Sequence, residues 1–454
     1  MNNKKESVFK MLENFKIIYC PTLEGAKKYI EEHGQPDFTV EAVYGNEVVD
    51  GARATYDHHA EGYRDNPAPC NADIEERDGG TILISHVDVD CMGGIMALIG
   101  EKPENPSLWA TAERIDLTGP SNLIDEPEMN QDEMRAFYYV LNPIQKEMRE
   151  LAAAEKDKGY VDVTKSIEKL NVDFKKIADR NNPEREPLLQ AGRDREKQRV
   201  EKVESKCVYD DGATRGFISE PGVFCNGAYT APERDLPPAI SCVSWSDNGS
   251  SVVAFNSKIN NLSKSPLRNP ECKLNACNIV KSIYGVDFGE DAQAGGHAGI
   301  AGSPRGVYVP QDYYDKTMNV VIPLVNIVKD NPGRDFKIYI SNEKDDPIRS
   351  ITKDIVDKKY PVFEIRETDR MQVNCWIPRD EKMPEETKAY NIMSTCNDKI
   401  ESGGGRDDFA SVIYPEGTSF EQVCKDISQI IEHMPELEPV HEIDRKEDRD
   451  TPPV

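Results

Sequence analysis

Tyr56-Asp57-His58-His59 and Ile84-Ser85-His86-Val87-Asp88-Val89-Asp90 gather three histidines and three aspartates into two short stretches. The whole chain holds only seven histidines, so the clustering is a concentration and not background. A fourth, His297, stands in Ala294-Gly295-Gly296-His297-Ala298-Gly299. Mixed imidazole and carboxylate donors suit manganese, whereas magnesium prefers more oxygen. Two such ions about 3.5–4 Å apart can hold both the attacking and the leaving oxygen of a phosphate ester, and they lower the pKa of water towards 7. On a strand, His86, Asp88 and Asp90 would alternate to one side with period two and converge on a cation pair where the strand ends. His58 is then a further ligand, His59 faces the substrate, and Asp57 orients a ring from behind. Taken singly, each piece has an ordinary reading: a surface Asp-His-His, a satisfied strand end, a tight glycine turn. Their occurrence together predicts a metal site that hydrolyses a phosphate ester.

Such residues need strand ends to stand on. Residues 15–20 form a short apolar run, Thr22 can cap a helix reaching about Glu32, and Gly34 ends it. A second strand is expected over 39–43 and a third over 52–56, ending at the Asp-His-His triplet. Residues 81–84, an apolar run after Gly79-Gly80, read as a strand buried on both faces. A helix near Gly93 carrying Ile95, Met96, Leu98 and Ile99 should follow. This alternation predicts an α/β domain with a parallel sheet over 1–125, and such sheets bind ligands at the carboxyl ends of their strands.

Over 126–206 Glu, Lys, Arg, Ala and Met dominate, with Met134, Phe137, Tyr138 and Leu141 at helical spacing. Pro143, Gly159 and Asn181-Asn182-Pro183 divide the segment into several helices. It reads as a charged helical connector, with a partner-binding arm as the alternative. From Cys207 strands return, and Asp247-Asn248-Gly249 marks a hairpin. An α+β domain over 207–310 ends in the glycine segment. Residues 311–440 repeat the order of strand, helix and glycine loop, which suggests an internal duplication with Arg406 where the first copy has His297. The charged tail 441–454 is expected to be disordered.

Composition limits the functions open to the chain. With 38% apolar and 30% charged residues it fits a water-soluble protein. No run approaches the ~20 apolar residues that span a bilayer, and the N-terminus lacks a signal-peptide core, so a cytoplasmic location is expected. Eleven scattered cysteines without a CxxC pair point to free thiols, not a zinc finger. A net charge of −26 opposes binding of long nucleic acids and favours a short oligonucleotide or small phosphorylated nucleotide as partner.

These motifs resemble those of the DHH phosphoesterase superfamily, which includes RecJ-type exonucleases, oligoribonucleases, cyclic-dinucleotide phosphodiesterases and family II pyrophosphatases. Ser85-His86-Val87-Asp88-Val89-Asp90 is similar to the RecJ-related form, and the match covers about a third of the chain. The resemblance implies a parallel-sheet catalytic domain, a helical connector and a DHH-associated substrate-binding domain. It implies two manganese ions, with Mg2+ or Co2+ as the other candidates. Leu108-Trp109-Ala110-Thr111-Ala112-Glu113-Arg114-Ile115-Asp116 resembles the family segment that ends in a metal-binding aspartate, which makes Asp116 a candidate ligand. The family also has an aspartate on the strand before DHH, and Asp50 is the nearest residue to it. In the associated domain, Gly295 and Gly296 would admit a phosphate close to the backbone, His297 would contact it, and Arg305 and Arg406 would help. Two departures stand out: Asp-His-His here precedes His-x-Asp-x-Asp, as in a circular permutation, and Cys91 stands where a glycine is common. The expectation is a manganese-dependent phosphodiesterase acting on short oligonucleotides or small nucleotides in a cleft between the first domain and the glycine-loop domain. The alternatives are a degenerate member that binds nucleotides or partners without hydrolysis, and an inorganic pyrophosphatase, which the lack of a basic cluster near the glycine loop disfavours.

Overall fold

The computed structural model describes residues 14–44, 47–63, 66–118, 123, 126–219, 240–255, 273–284, 288, 294–296, 298–304, 307–342, 361–377, 388–393 and 400–434. The chain divides into two compact units, one running to Cys207 and the other starting at Val208. Both mix helices with sheets that contain parallel pairs.

The first unit begins β1 (Phe15–Tyr19), α1 (Leu23–His33), β2 (Phe38–Val40), β3 (Val43–Tyr44), β4 (Glu47–Val48), β5 (Ala54–Tyr56) and β6 (Gly80–Ile84). Thr22 caps α1 by accepting the Gly25 N–H at 3.1 Å, and Gly34 ends it at φ +84°, a conformation that favours glycine. Then follow α2 (Val89–Leu98), α3 (Pro106–Thr118), α4 (Glu128–Ala154), β7 (Val161–Asp162), α5 (Thr164–Ala178) and α6 (Arg185–Glu204). The sheet runs β5-β2-β6-β1-β7, with β7 alone antiparallel. The carboxyl ends of β2, β5 and β6 therefore lie along one edge. They lead directly into Glu41, Asp57-His58-His59 and Ser85-His86.

Two expectations need correction here. The strand before His86 stops at Ile84, and Asp88 caps α2 by accepting the Cys91 N–H at 2.8 Å. Convergence of His86, Asp88 and Asp90 thus comes from a strand-to-helix turn, not from strand alternation: a short carboxylate beside free helical N–H groups is worth more as a cap than as a strand residue. The segment 126–206 is likewise no separate connector. Met134, Phe137 and Leu141 of α4 and Ile167, Leu170 and Phe174 of α5 are buried in one core with Ile82, Ile84 and Trp109. Phe137 stacks on Phe174 at 4.1 Å and on Trp109 at 5.9 Å. Apolar side chains at helical spacing outweighed the charged composition because only one stripe of each helix needs burial.

The second unit contains β8 (Cys207–Asp210), β9 (Thr214–Ser219), β10 (Ser241–Ser246), β11 (Ser250–Phe255), α7 (Ala276–Tyr284), β12 (Gly295–Gly296), β13 (Ile300–Gly302) and α8 (Asp312–Asp330). After them come β14 (Lys337–Asn342), β15 (Val362–Glu367), β16 (Met371–Trp376), α9 (Ala389–Met393), β17 (Ser402–Arg406), β18 (Phe409–Ile413) and α10 (Phe420–His433). Its two sheets, β12-β13-β11-β10-β9-β8 and β17-β18-β16-β15-β14, share one plan. In each, one parallel pair (β9 with β10, β14 with β15) leads into antiparallel pairs that end at the glycine strand. Each also closes with a glycine strand and a long helix. The copies are not separate domains at residue 310, because Val243, Phe255, Ile338, Phe363, Val373 and Ile427 belong to one core.

Candidate metal centre

Glu41 is the residue around which the centre is built. It follows the buried strand β2, has no exposed surface, and has φ +50°, the one positive value at a non-glycine among the described residues. That geometry costs about 1–2 kcal/mol for an L-residue. Its N–H donates to the Tyr56 carbonyl at 2.8 Å, which ties it to the end of β5. Its carboxylate then meets all three motif histidines. Oε1 lies 3.0 Å from His59 Nε2 and 3.4 Å from His58 Nε2, and Oε2 lies 3.3 Å from His86 Nε2.

Asp90 and Asp88 each spend one oxygen on the scaffold and leave the other for the cluster. Asp90 Oδ1 accepts the Cys70 N–H at 2.6 Å while Oδ2 lies 3.2 Å from His58 Nε2. Asp88 caps α2 with Oδ1, and Oδ2 lies 3.4 Å from His86 Nε2. Asp116 on α3 brings Oδ2 to 3.2 Å from His58 Nε2. Three groups of donors result: Glu41 with His58 and His59, Glu41 with His86 and Asp88, and His58 with Asp90 and Asp116. Glu41 and His58 each belong to two of them.

The donor set fits a divalent cation. Glu41 Oε2, Asp90 Oδ2 and His58 Nε2 are buried and make no hydrogen bond among the described residues, which is costly unless something else binds there. Ser85 prepares His86. Its hydroxyl donates to the Glu41 carbonyl at 2.5 Å, so its lone pair receives His86 Nδ1–H at 2.9 Å, and Nε2 is left bare for a ligand. The site is also graded in depth: Glu41 and Asp90 form a closed floor, whereas the His86 and Asp88 side chains are 40% and 27% exposed at the mouth.

Electrostatics follow from this crowding. Burial opposes charge on Glu41, but His86 and the neighbouring His58 and His59 imidazoles outweigh it and hold its carboxyl well below the usual range. Burial and the Glu41 charge push Asp90 up to about 8 and raise Asp88. Burial opposes protonation of His58 and His86, yet the surrounding carboxylates raise both. Without a cation, the cluster balances its carboxylates with protons.

The structure brings together His58, His59, His86, Asp88, Asp90 and Asp116. Asp57 has a different task from the one expected, since Oδ1 accepts the backbone N–H groups of His59 at 3.0 Å and Ala60 at 3.4 Å. It fixes the turn that carries the histidines and does not orient a ring. Asp50 takes no part in the three groups. It lies exposed between β4 and β5, accepting the Tyr63 hydroxyl at 2.7 Å and that of Thr55 at 3.3 Å. Glu41 stands where that carboxylate was sought. Read as the middle of an apolar strand it gave no motif, although a lone glutamate in such a run already demands partners. Gly295 and Gly296 form β12, and Arg406 closes β17, whereas His297 and Arg305 lie outside the described residues, as does the tail 441–454.

Among the described residues no helix is long and apolar enough to cross a membrane. No family model matches the chain. No curated protein matches it either. Among solved structures it is similar to the C-Ala domain of Aquifex aeolicus alanyl-tRNA synthetase, at 17% identity over 21% of this chain and 89% of that one, with a TM-score of 0.18. It is also similar to an uncharacterized protein from Helicobacter pylori G27, at 14% identity and a TM-score of 0.17. That match covers 52% of this chain and 58% of the Helicobacter protein, so the chain spans less than two thirds of that relative. TM-scores this low carry no argument about what the chain does.

Proposed function

We propose that the chain is a metal-dependent phosphoesterase that cleaves phosphodiester bonds of short oligonucleotides or small nucleotides, with manganese as the cation. One observation carries the reading: two sets of donors with no member in common, His58 with Asp90 and Asp116 and Glu41 with His86 and Asp88, are linked by a third in which Glu41 meets His58 and His59, a layout that suits a pair of cations. His58, Asp90 and Asp116 would hold one cation and Glu41, His86 and Asp88 the other. When bound, such ions supply an acidified water and neutralise charge on the phosphate.

The chain's own residues do the rest. The Cys70 N–H and the α2 cap hold Asp90 and Asp88 so that neither carboxylate must reorganise as charge develops. Ser85 fixes the His86 tautomer. His59, whose Nε2 is hydrogen-bonded to Glu41 and whose ring is partly exposed, can carry a proton for the departing oxygen. The depth of Glu41 and Asp90 keeps bulk water from the floor of the site.

The test is manganese-dependent release of mononucleotide from a short 5′-labelled RNA or DNA, wild type beside Asp90→Ala. Turnover in the wild type and its loss in the variant support the proposal. Silence in both, with pyrophosphate and cyclic dinucleotides also untouched, would sink it and leave a binding or scaffold role in its place.

A further inference from the structure

The two sheets of the second unit follow one plan but differ in one row of side chains. In the first sheet Gly216, Val243, Val253, Ala301 and Gly296 stand side by side across β9, β10, β11, β13 and β12. Val243, Val253 and Ala301 belong to the core. The same step of the second sheet, across β14, β15, β16, β18 and β17, reads Tyr339, Glu364, Asn374, Ser411 and Gly404. Strand alternation gives this sheet its apolar face from Ile365, Val373 and Val412, which lie in the core. Folding therefore asks nothing polar of the opposite face, where the Glu364 row stands.

Glu364 is only 1% exposed and Asn374 7%. One Glu364 oxygen accepts the Ser341 hydroxyl at 2.6 Å and the other accepts the Asn374 amide at 2.7 Å. Gln372 extends the network, donating to Asn374 Oδ1 at 3.0 Å and to Ser411 Oγ at 2.9 Å. Among the described residues no cation lies within 4.0 Å of the Glu364 carboxyl, and each of its oxygens keeps a lone pair. A buried carboxylate so placed is costly unless further donors reach it. Two residues along the strands in one direction stand Trp376 and Phe409, partly buried, with ring centroids 5.2 Å apart and tilted by 47°. Two residues in the other direction stands Arg366, paired in register with Gln372. Its Nε is buried, and its guanidinium makes no hydrogen bond or ion pair among the described residues. Four strand residues, about 13 Å, separate the aromatic row from the guanidinium row.

We propose that this face of the second sheet binds a ribonucleoside monophosphate. The base stacks on the Trp376 and Phe409 pair, the ribose hydroxyls donate to the remaining lone pairs of Glu364, and the phosphate meets Arg366. Base, sugar and phosphate follow one another in a nucleotide in the order in which the strands set out aromatic rings, acceptor and guanidinium. A free phosphate would use only the last of these and a free base only the first. The site takes no metal and performs no reaction, so it stands apart from the phosphoesterase reading of the first unit.

The test is calorimetric titration of the full chain in EDTA, which silences the metal centre, with AMP, adenosine and 2′,3′-dideoxy-AMP as probes. Wild type is run beside Glu364→Gln and Arg366→Gln. Wild type should bind AMP, and the dideoxy analogue about tenfold more weakly, because it brings no hydroxyl to Glu364. Glu364→Gln should lose about tenfold for AMP and almost nothing for the dideoxy analogue, a difference that a general loosening of the sheet would not produce. Arg366→Gln should lose about tenfold for AMP and keep its affinity for adenosine. It stands at the rim of the network, so it decides the matter if the Glu364 variant does not fold. Absence of AMP binding by the wild type would overturn the site. So would equal affinity for AMP and its dideoxy analogue, or an AMP affinity that Arg366→Gln leaves unchanged.

Discussion

Replacing Glu41 with glutamine keeps its shape and removes one charge that two donor groups share. In the metal-free protein this strips His58, His59 and His86 of their common anion. Breaking a buried pair in this way costs about 3–5 kcal/mol, and the amide oxygen still accepts a hydrogen bond, so the lower end applies. In a unit of roughly 200 residues each kcal/mol moves Tm by about 2–4 °C, which gives a fall of about 6–12 °C. Manganese supplied at 100 times its Kd adds about 2.7 kcal/mol to the wild type, a rise of about 5–11 °C. A variant whose affinity is a hundredfold lower gains only about 0.4 kcal/mol, near 1 °C. Thermal melts with and without manganese, paired with calorimetric titration of the metal, read both numbers. Asp50→Asn is the control, because its carboxylate accepts from Tyr63 and Thr55, lies outside the three donor groups and should leave the manganese shift intact. A full manganese shift in Glu41→Gln, or its loss in Asp50→Asn, would refute the reasoning.

Metal uptake should expel protons, since the raised His58, His86 and Asp90 must each release one before they can ligate. Affinity should therefore climb as pH rises through about 8, and titrations in buffers of different ionisation enthalpy should show that release; pH-independent uptake would contradict it. Without metal the trend reverses: Asp90 holds its proton to about 8, so the stability it lends is full in acid below the ordinary carboxylate range and fades as pH approaches 8. Gly93→Ala would drive a Cβ to 2.5 Å from Cys70 Cβ, in the segment whose N–H holds Asp90, so about 1–3 kcal/mol of stability and part of the metal affinity should go together. Phe174→Ala should cost about 3–5 kcal/mol, and a fragment ending at residue 125 should fail to fold where one ending at 207 succeeds, as circular dichroism would show.

How much of this could be read beforehand depended on whether the signal was local. The Thr22 cap, the Gly34 stop and the strand over 81–84 announce themselves within a few residues, because caps and turns are local chemistry. The histidines and aspartates of the centre were visible as residue types, but the manner of their meeting was not. Asp88 looked like a strand residue until the helix it caps was in view. Glu41 was hidden because its role depends on a left-handed backbone turn and on partners 17 to 45 positions away. The helices after residue 126 were legible, yet their polar faces disguised that Phe137 and Phe174 complete the core around Trp109. Shared topology in the second unit could be seen only faintly, since strand order and direction leave almost no trace in residue identity.

Strand β1 sits between β6 and β7, held on one side by Ile17 bonding Val163 and Thr164. The last candidate ligand is Asp116, whereas α5, which packs against β1, ends at Ala178. On a ribosome adding about 5–20 residues each second, roughly 3–12 s separate the synthesis of these two points. During that interval every candidate ligand of the centre has been made, but the sheet that must hold them is still open along one edge. A nascent chain at this stage offers carboxylates and imidazoles without the geometry that selects among metals, and open strand edges to its neighbours. On the proposed reading, selective loading with a cation would follow closure of the sheet by β7 and α5, since only then are the ligands held in one geometry.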